Sequence, residues 1–184
     1  MRTYLLAAAC ALLILAGCSG DSQTGPTGLQ HANVAGSWTY NATNLSGTVM
    51  GFAMSCNIEG MTLNLTQTGT SFSGTCGPST ITCFGGGVQV DDTLPGSVVV
   101  NGLVNGNNVQ FDIETSDYRN TGTVSGSSMS GTVSIRLDLG DEVVTLAGNW
   151  AAARAAMGAI RDNGAGALTE GVKSAVAQAA KLAS

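Results

Sequence analysis

Apolar side chains recur at every second position through the middle of this chain, a period that suits strands and not helices. Met61, Leu63 and Leu65 alternate with Thr62, Asn64 and Thr66, and Val109, Phe111 and Ile113 alternate with Asn108, Gln110 and Asp112. Between Met129 and Leu139 the pattern returns, with Val133, Ile135 and Leu137 set against Ser134, Arg136 and Asp138. Strict alternation describes strands with one buried and one wet face, as antiparallel sheets have. A repeated turn string separates them: glycine, two small or polar residues, then an apolar one. It occurs as Gly69-Thr70-Ser71-Phe72, Gly106-Asn107-Asn108-Val109, Gly126-Ser127-Ser128-Met129 and Gly140-Asp141-Glu142-Val143. Glycine reaches the positive φ that tight hairpins need. The spacing predicts about eight strands, over 34–43, 58–67, 70–77, 96–103, 107–115, 118–125, 129–138 and 142–153. Consecutive antiparallel strands make an up-and-down meander, which loses its edges best by closing into a barrel. An open sheet or a two-layer sandwich is the competing architecture.

Charge is scarce, at 10% of residues, while Gly, Ser, Thr, Asn and Val are plentiful. Disordered chains are usually charge-rich and poor in β-branched residues, so the composition is that of a folded all-β domain. Between Val34 and Trp150 only Arg119 and Arg136 offset a clear excess of carboxylates. Nucleic acid is therefore excluded as a partner, because its binding depends on neutralising phosphates.

The ends of the strand run carry a resemblance. Gly36-Ser37-Trp38 opens the first strand and Asn149-Trp150-Ala151-Ala152-Ala153-Arg154 closes the last. The pairing is similar to that of lipocalins, avidin-like proteins and related calycin barrels. In those families an arginine from beyond the last strand covers a Gly-x-Trp tryptophan on the first. The resemblance implies that Trp38 and Arg154 close the barrel through a cation–π contact worth about 0.5–2 kcal/mol. It also places ligands at the wide mouth, against inward-facing side chains. Alternation offers Trp38, Tyr40, Phe72, Phe111 and Tyr118 as ligand-binding candidates, with Leu63, Leu65, Val133 and Ile135 beside them. In a small barrel the same side chains simply fill the interior. The polar and tryptophan set with which avidins read biotin has no counterpart here. The strings Leu65-Thr66-Gln67-Thr68-Gly69 and Gly122 to Thr132 also resemble repeats in small bacterial lipoproteins, a family that implies an address and a fold without an activity.

An address is written at the amino end. Arg2 precedes an apolar run from about Tyr4 to Ala16, too short for a transmembrane helix of ~20 residues and right for a secretory signal. Its last residues, Leu15-Ala16-Gly17-Cys18, resemble the bacterial lipobox. The resemblance implies cleavage before Cys18, acylation of that cysteine and membrane attachment by three acyl chains. Ser19 stands where an inner-membrane retention signal would have Asp, so the outer membrane is the expected destination. An ordinary signal peptide cut at Ala16-Gly17 is the alternative. Residues 18–33, polar and Gly-rich, read as a flexible tether, which leaves 34–154 as the barrel domain and 155–184 as a tail.

Outside the cytoplasm two of Cys56, Cys76 and Cys83 should be oxidised. A hairpin turn centred on Thr68-Gly69 brings Cys56 to within about two residues of Cys83 and leaves Cys76 about five residues off register. Cys56–Cys83 is the favoured bridge; a local Cys76–Cys83 loop around Pro78 is the runner-up. Three thiols can instead hold zinc, but no paired Cys-x-x-Cys motif is present, and no metal is expected.

Catalytic signals are thin. His31, the one histidine, falls in the expected tether, so a Ser-His or Cys-His mechanism lacks a base. Gly85-Gly86-Gly87 has no Gly-Lys-Ser/Thr continuation and reads as a flexible connection between strands. Asp91-Asp92 falls in an expected long loop from Phe84 to Gly96, and Asp138, Asp141 and Glu142 surround the last hairpin, where solvated acids are common. Beyond Arg154 the chain turns alanine-rich. Leu168, Val172, Val176, Ala179 and Leu182 share one helical face, and Thr169 is placed to cap a helix over 169–182.

These readings converge on a lipid-anchored cell-envelope β-barrel lipoprotein with a short C-terminal helix. It is expected to be non-enzymatic and without cofactor. It either binds a small hydrophobic ligand or serves as a structural or interaction module. The alternative is a carboxylate-dependent envelope hydrolase.

Overall fold

The computed structural model describes residues 30–155 and 168–183. The leader, Cys18, most of the expected tether and the segment 156–167 lie outside the described residues. Ten strands and one helix follow in chain order: β1 (Gly36–Val49), β2 (Phe52–Thr68), β3 (Ser71–Cys76), β4 (Ser79–Gly85), β5 (Val88–Leu94), β6 (Ser97–Asn105), β7 (Asn108–Ile113), β8 (Thr115–Ser125), β9 (Ser128–Asp138), β10 (Val143–Arg154) and α1 (Leu168–Ala183). The fold is thus mainly antiparallel β with a single short C-terminal helix among the described residues. That helix is not long and apolar enough to cross a membrane.

Hydrogen bonding runs β1-β10-β9-β8-β7-β6-β3-β2, and β2 pairs again with β1, so eight strands form a ring. Glycines at the first turn position make three of its hairpins: Gly69, Gly106 and Gly126 have φ of 61°, 59° and 57°. At those angles a side chain is strained and glycine is not. Met50-Gly51 turns β1 into β2, again with both residues at positive φ.

β2 is the longest strand, at 17 residues, and bends at Gly60, where φ is 74°. Its upper half faces β3 and its lower half faces β4 in one uninterrupted register: Leu63 lies opposite Cys76, Glu59 opposite Thr80 and Cys56 opposite Cys83. Gly77 bridges the two stretches by donating to Thr62 O. β3 and β4 therefore behave as one long strand interrupted at Gly77-Pro78, where proline offers no N–H to the ladder. Past that break the outer neighbour changes from β6 to β5, and the β4–β5 hairpin leaves the ring.

Three expectations are corrected here. The stretch from Phe84 to Gly96 is not a long loop, because β5 occupies most of it and carries Asp91 and Asp92. Gly86 and Gly87, at φ 56° and 85°, form the β4–β5 hairpin turn, so Gly85-Gly86-Gly87 is a tight reversal and not a flexible connection. The hairpin joining β2 and β3 also turns one residue later than expected, at Gly69-Thr70. That shift places Cys83 directly across from Cys56, and the two form a disulfide. Cys76 remains a free, buried thiol.

α1 lays Leu168, Val172, Ala175, Val176, Ala179 and Ala180 against the sheet, chiefly on β5 and β4. Leu182, expected on that face, is exposed. Gly171 lets the helix come close: a Cβ there would sit 2.8 Å from Leu94 Cδ2. The helix begins one residue earlier than expected, and Thr169 is not its acceptor cap. Its N–H and Oγ1 both donate to Glu114 Oε2, a carboxylate presented from the β7–β8 turn. A negative group at a helix start also meets the positive end of the helix dipole.

The bridge closes a separation of 27 residues, for which loop-closure entropy gives about 3–4 kcal/mol. Replacing Cys56 and Cys83 by serine should lower the thermal midpoint by several degrees, measured by circular dichroism. Reductant should do the same to the native protein, and an unmoved midpoint would contradict the staple.

Candidate functional site

Alternation along the ring strands carries all five ligand-binding candidates inward. Trp38 and Tyr40 on β1, Phe72 on β3, Phe111 on β7 and Tyr118 on β8 are all buried. Tyr40 and Phe111 meet a residue that alternation did not single out, Trp150 on β10. Its ring stacks on Tyr40 at 5.7 Å and meets Phe111 edge-on at 5.4 Å, while Phe111 touches Phe72 at 5.8 Å. Such contacts add about 0.5–1.5 kcal/mol each beyond the area they bury.

Gly122 makes room for that indole, and Gly131 for the close approach of the β8 backbone beside it. Gly122 and Gly131 face each other across β8 and β9 at inward positions. A Cβ on Gly122 would lie 2.8 Å from Trp150 Cζ2, and one on Gly131 would run into Thr121 O. Trp150 therefore rests on bare backbone, its Nε1 donating to Thr121 O and Thr132 O, each at 3.1 Å. Glycine at an inward strand position signals such a close approach, and it is the mark by which the sequence could have revealed this cluster.

A small polar group lies beside the aromatics. Tyr40 donates to Asn120 Oδ1 at 2.8 Å, and its hydroxyl is 3.4 Å from that of Tyr118. Asn120 is fully buried and its Nδ2 has no hydrogen-bond partner. Burial pushes the nearby Cys76 thiol up to about 11. Burial, and then the neighbouring Tyr118, hold the Tyr40 phenol well above its ordinary value; burial raises Tyr118 as well.

The ring end nearest Trp38 is covered by the incoming chain. Arg154 lies 4.5 Å over the Trp38 ring and donates to Ala35 O and Asn33 O. Trp38 Nε1 donates to Val34 O, Gln67 holds Val34 N and Ala32 O, and Gly106 N donates to His31 Nδ1. Residues 31–33, expected in the flexible tether, thus belong to the folded domain. The single histidine serves there as an acceptor for a turn amide.

Most carboxylates among the described residues are engaged in structural contacts. Fully buried Asp112 accepts from Arg119 and from Asn101 Nδ2. Asp138 accepts from Gly140 N, Glu142 from Met50 N and Asp91 from Gln89. No group of three or more His, Cys, Asp or Glu among the described residues is placed to hold a metal ion. On the outer surface of β6–β9 an open groove of about 800 Å³ is lined by uncharged side chains, including Leu103, Asn105, Gln110, Thr121, Thr123 and Thr132. No family model, curated protein or solved structure matches the chain.

Because the folded state keeps the Cys76, Tyr40 and Tyr118 protons to higher pH than the unfolded chain, it binds more protons in alkali. Stability should therefore be full below about pH 9 and fall as pH rises toward 11. Thermal midpoints between pH 8 and 11 measure this, and the Tyr40→Phe/Cys76→Ala variant should show a shallower decline. An identical decline in the variant would contradict the assignment.

Proposed function

We propose that this chain is a lipid-anchored cell-envelope lipoprotein whose ring of strands is a calycin-type β-barrel. It acts without catalysis, as a structural or interaction module of the envelope that works through its outer surface. The disulfide between Cys56 and Cys83 carries the reading. Such bridges persist in oxidising compartments, where a chain led by Leu15-Ala16-Gly17-Cys18 would be delivered. The pairing of β1 with both β2 and β10, and the cover of Trp38 by Arg154, support the barrel assignment. The interior favours a module over a carrier of small hydrophobic ligands. Its aromatic side chains are spent on one another, and residues 31–35 lie across the end that holds Trp38.

Cys18→Ser should move the protein from the membrane to the soluble fraction and abolish incorporation of labelled palmitate. Unchanged fractionation with the serine variant would overturn the anchor. Native mass spectrometry of the domain should give the mass of the chain alone; a retained apolar ligand would return the interior to a binding role.

A further inference from the structure

Charge divides this molecule along its length. β1, β3, β7, β9 and their neighbours run between two ends. One end holds the turns at Gly69, Gly106 and Gly126 and the point where the chain enters the fold. The other holds the turns at Gly51 and Gly140, the β7–β8 turn and the first turn of α1. Of the ten carboxylates among the described residues, nine lie in the far half and Glu59 stands at the middle of β2. On β7, Asp112 is one residue from the far terminus, and Asp117 stands at the far end of β8. Glu114, Asp138, Asp141 and Glu142 occupy the far turns, while Glu59 lies beyond the Gly60 bend and Asp91 and Asp92 lie on β5. The near turns are Gly69-Thr70, Gly106-Asn107 and Gly126-Ser127, without a charge, and the cation Arg154 stands beside them.

The chain enters at this end, whose turns carry no charge, and is pinned there. Ala32 N donates to Gly106 O, Gly106 N donates to His31, and Arg154 holds Asn33 O. Roughly a dozen residues separate Cys18 from Gln30, and a Gly-rich chain of that length has a root-mean-square reach of about 20 Å. β9 alone, with 11 residues, spans roughly 35 Å. An anchor at Cys18 would therefore hold the near end closer to the bilayer than the far end. Anionic headgroups repel carboxylates within about one Debye length, some 8–10 Å. Both effects act in the same direction.

We infer that the uncharged rim formed by the Gly69, Gly106 and Gly126 turns faces and rests against the lipid headgroups, with the acidic end and α1 directed away from the membrane. This rests on the anchoring proposed above and adds an orientation to it. The surface in contact is a ring of small polar turn residues, which hydrogen-bonds to headgroups without inserting into the hydrocarbon.

The test uses the acylated full-length protein in vesicles of phosphatidylethanolamine and phosphatidylglycerol carrying a headgroup-bound quencher. A fluorophore is attached through Ser127→Cys on the near rim or Asp141→Cys at the far end; buried Cys76 is shielded from the label. The near label should be quenched severalfold more than the far one. Equal or reversed quenching on vesicle-bound protein overturns the orientation and leaves the anchor standing. Failure of the acylated protein to bind vesicles overturns the anchor itself. Thr70→Glu with Ser127→Glu, followed from a label on Asn107→Cys, should weaken quenching on these vesicles and not on neutral phosphatidylcholine. Unchanged quenching on both would remove charge as the cause.

Discussion

β1 has no free edge, and the arrangement of the molecule follows from that. It pairs with β2 from Gly36 to Val49 and with β10 from Trp38 to Ser46. Successive amides of an antiparallel strand point to opposite neighbours, so a strand flanked on both sides exposes no row of unpaired donors for another chain to join. With the ring shut, alternation has one interior to point into, and the large side chains of both ends of the sequence converge there. Arg154, the final residue of β10, then locks the seam, holding the chain that leads into β1 while lying on Trp38.

The one long ladder along β2 explains how a ring of eight strands carries two more. A single register runs the length of β2, but its partner is interrupted at Gly77-Pro78, and from there the sheet continues on a different neighbour. The disulfide lies on the part of that ladder outside the ring, where β2 is the one strand that pairs with the β4–β5 hairpin. β5 is left at the end of the strand order. Its consecutive Asp91 and Asp92 discourage edge pairing, and α1 packs across its face. The helix is therefore part of the solution to an edge, held at its start by Glu114.

Much of this was legible from the residues, for a physical reason. Where one face of a strand is buried and the other wet, period two is written into side-chain polarity; it places six of the eight ring strands to within three residues, while β1 and β2 each run six residues further toward their shared turn at Met50-Gly51. The same hairpin reasoning brought Cys56 opposite Cys83. β4 and β5 were obscured because three glycines and two adjacent aspartates break the alternation that would announce them. Residues 31–33 read as tether because their hold on the fold comes from backbone groups, Gln67 and Arg154, none of which leaves a local pattern. Composition likewise could not tell a lined pocket from a packed core. That distinction depends on Trp150 lying over Gly122 and Gly131, a long-range fit between three strands. The helix was visible in its apolar spacing, whereas its cap was not, since the carboxylate that supplies it lies far away in sequence.

Closure of the sheet is the claim on which the sealed interior, the two distinct ends and the orientation at a membrane all depend. Amide hydrogen exchange along β1 tests it most directly. If the strand is paired on both sides, Trp38, Thr39, Tyr40 and Asn41 should all exchange slowly, at rates set by global unfolding. Protection at only every second of these amides, with the others exchanging like a loop, would mean an open edge and would contradict the ring.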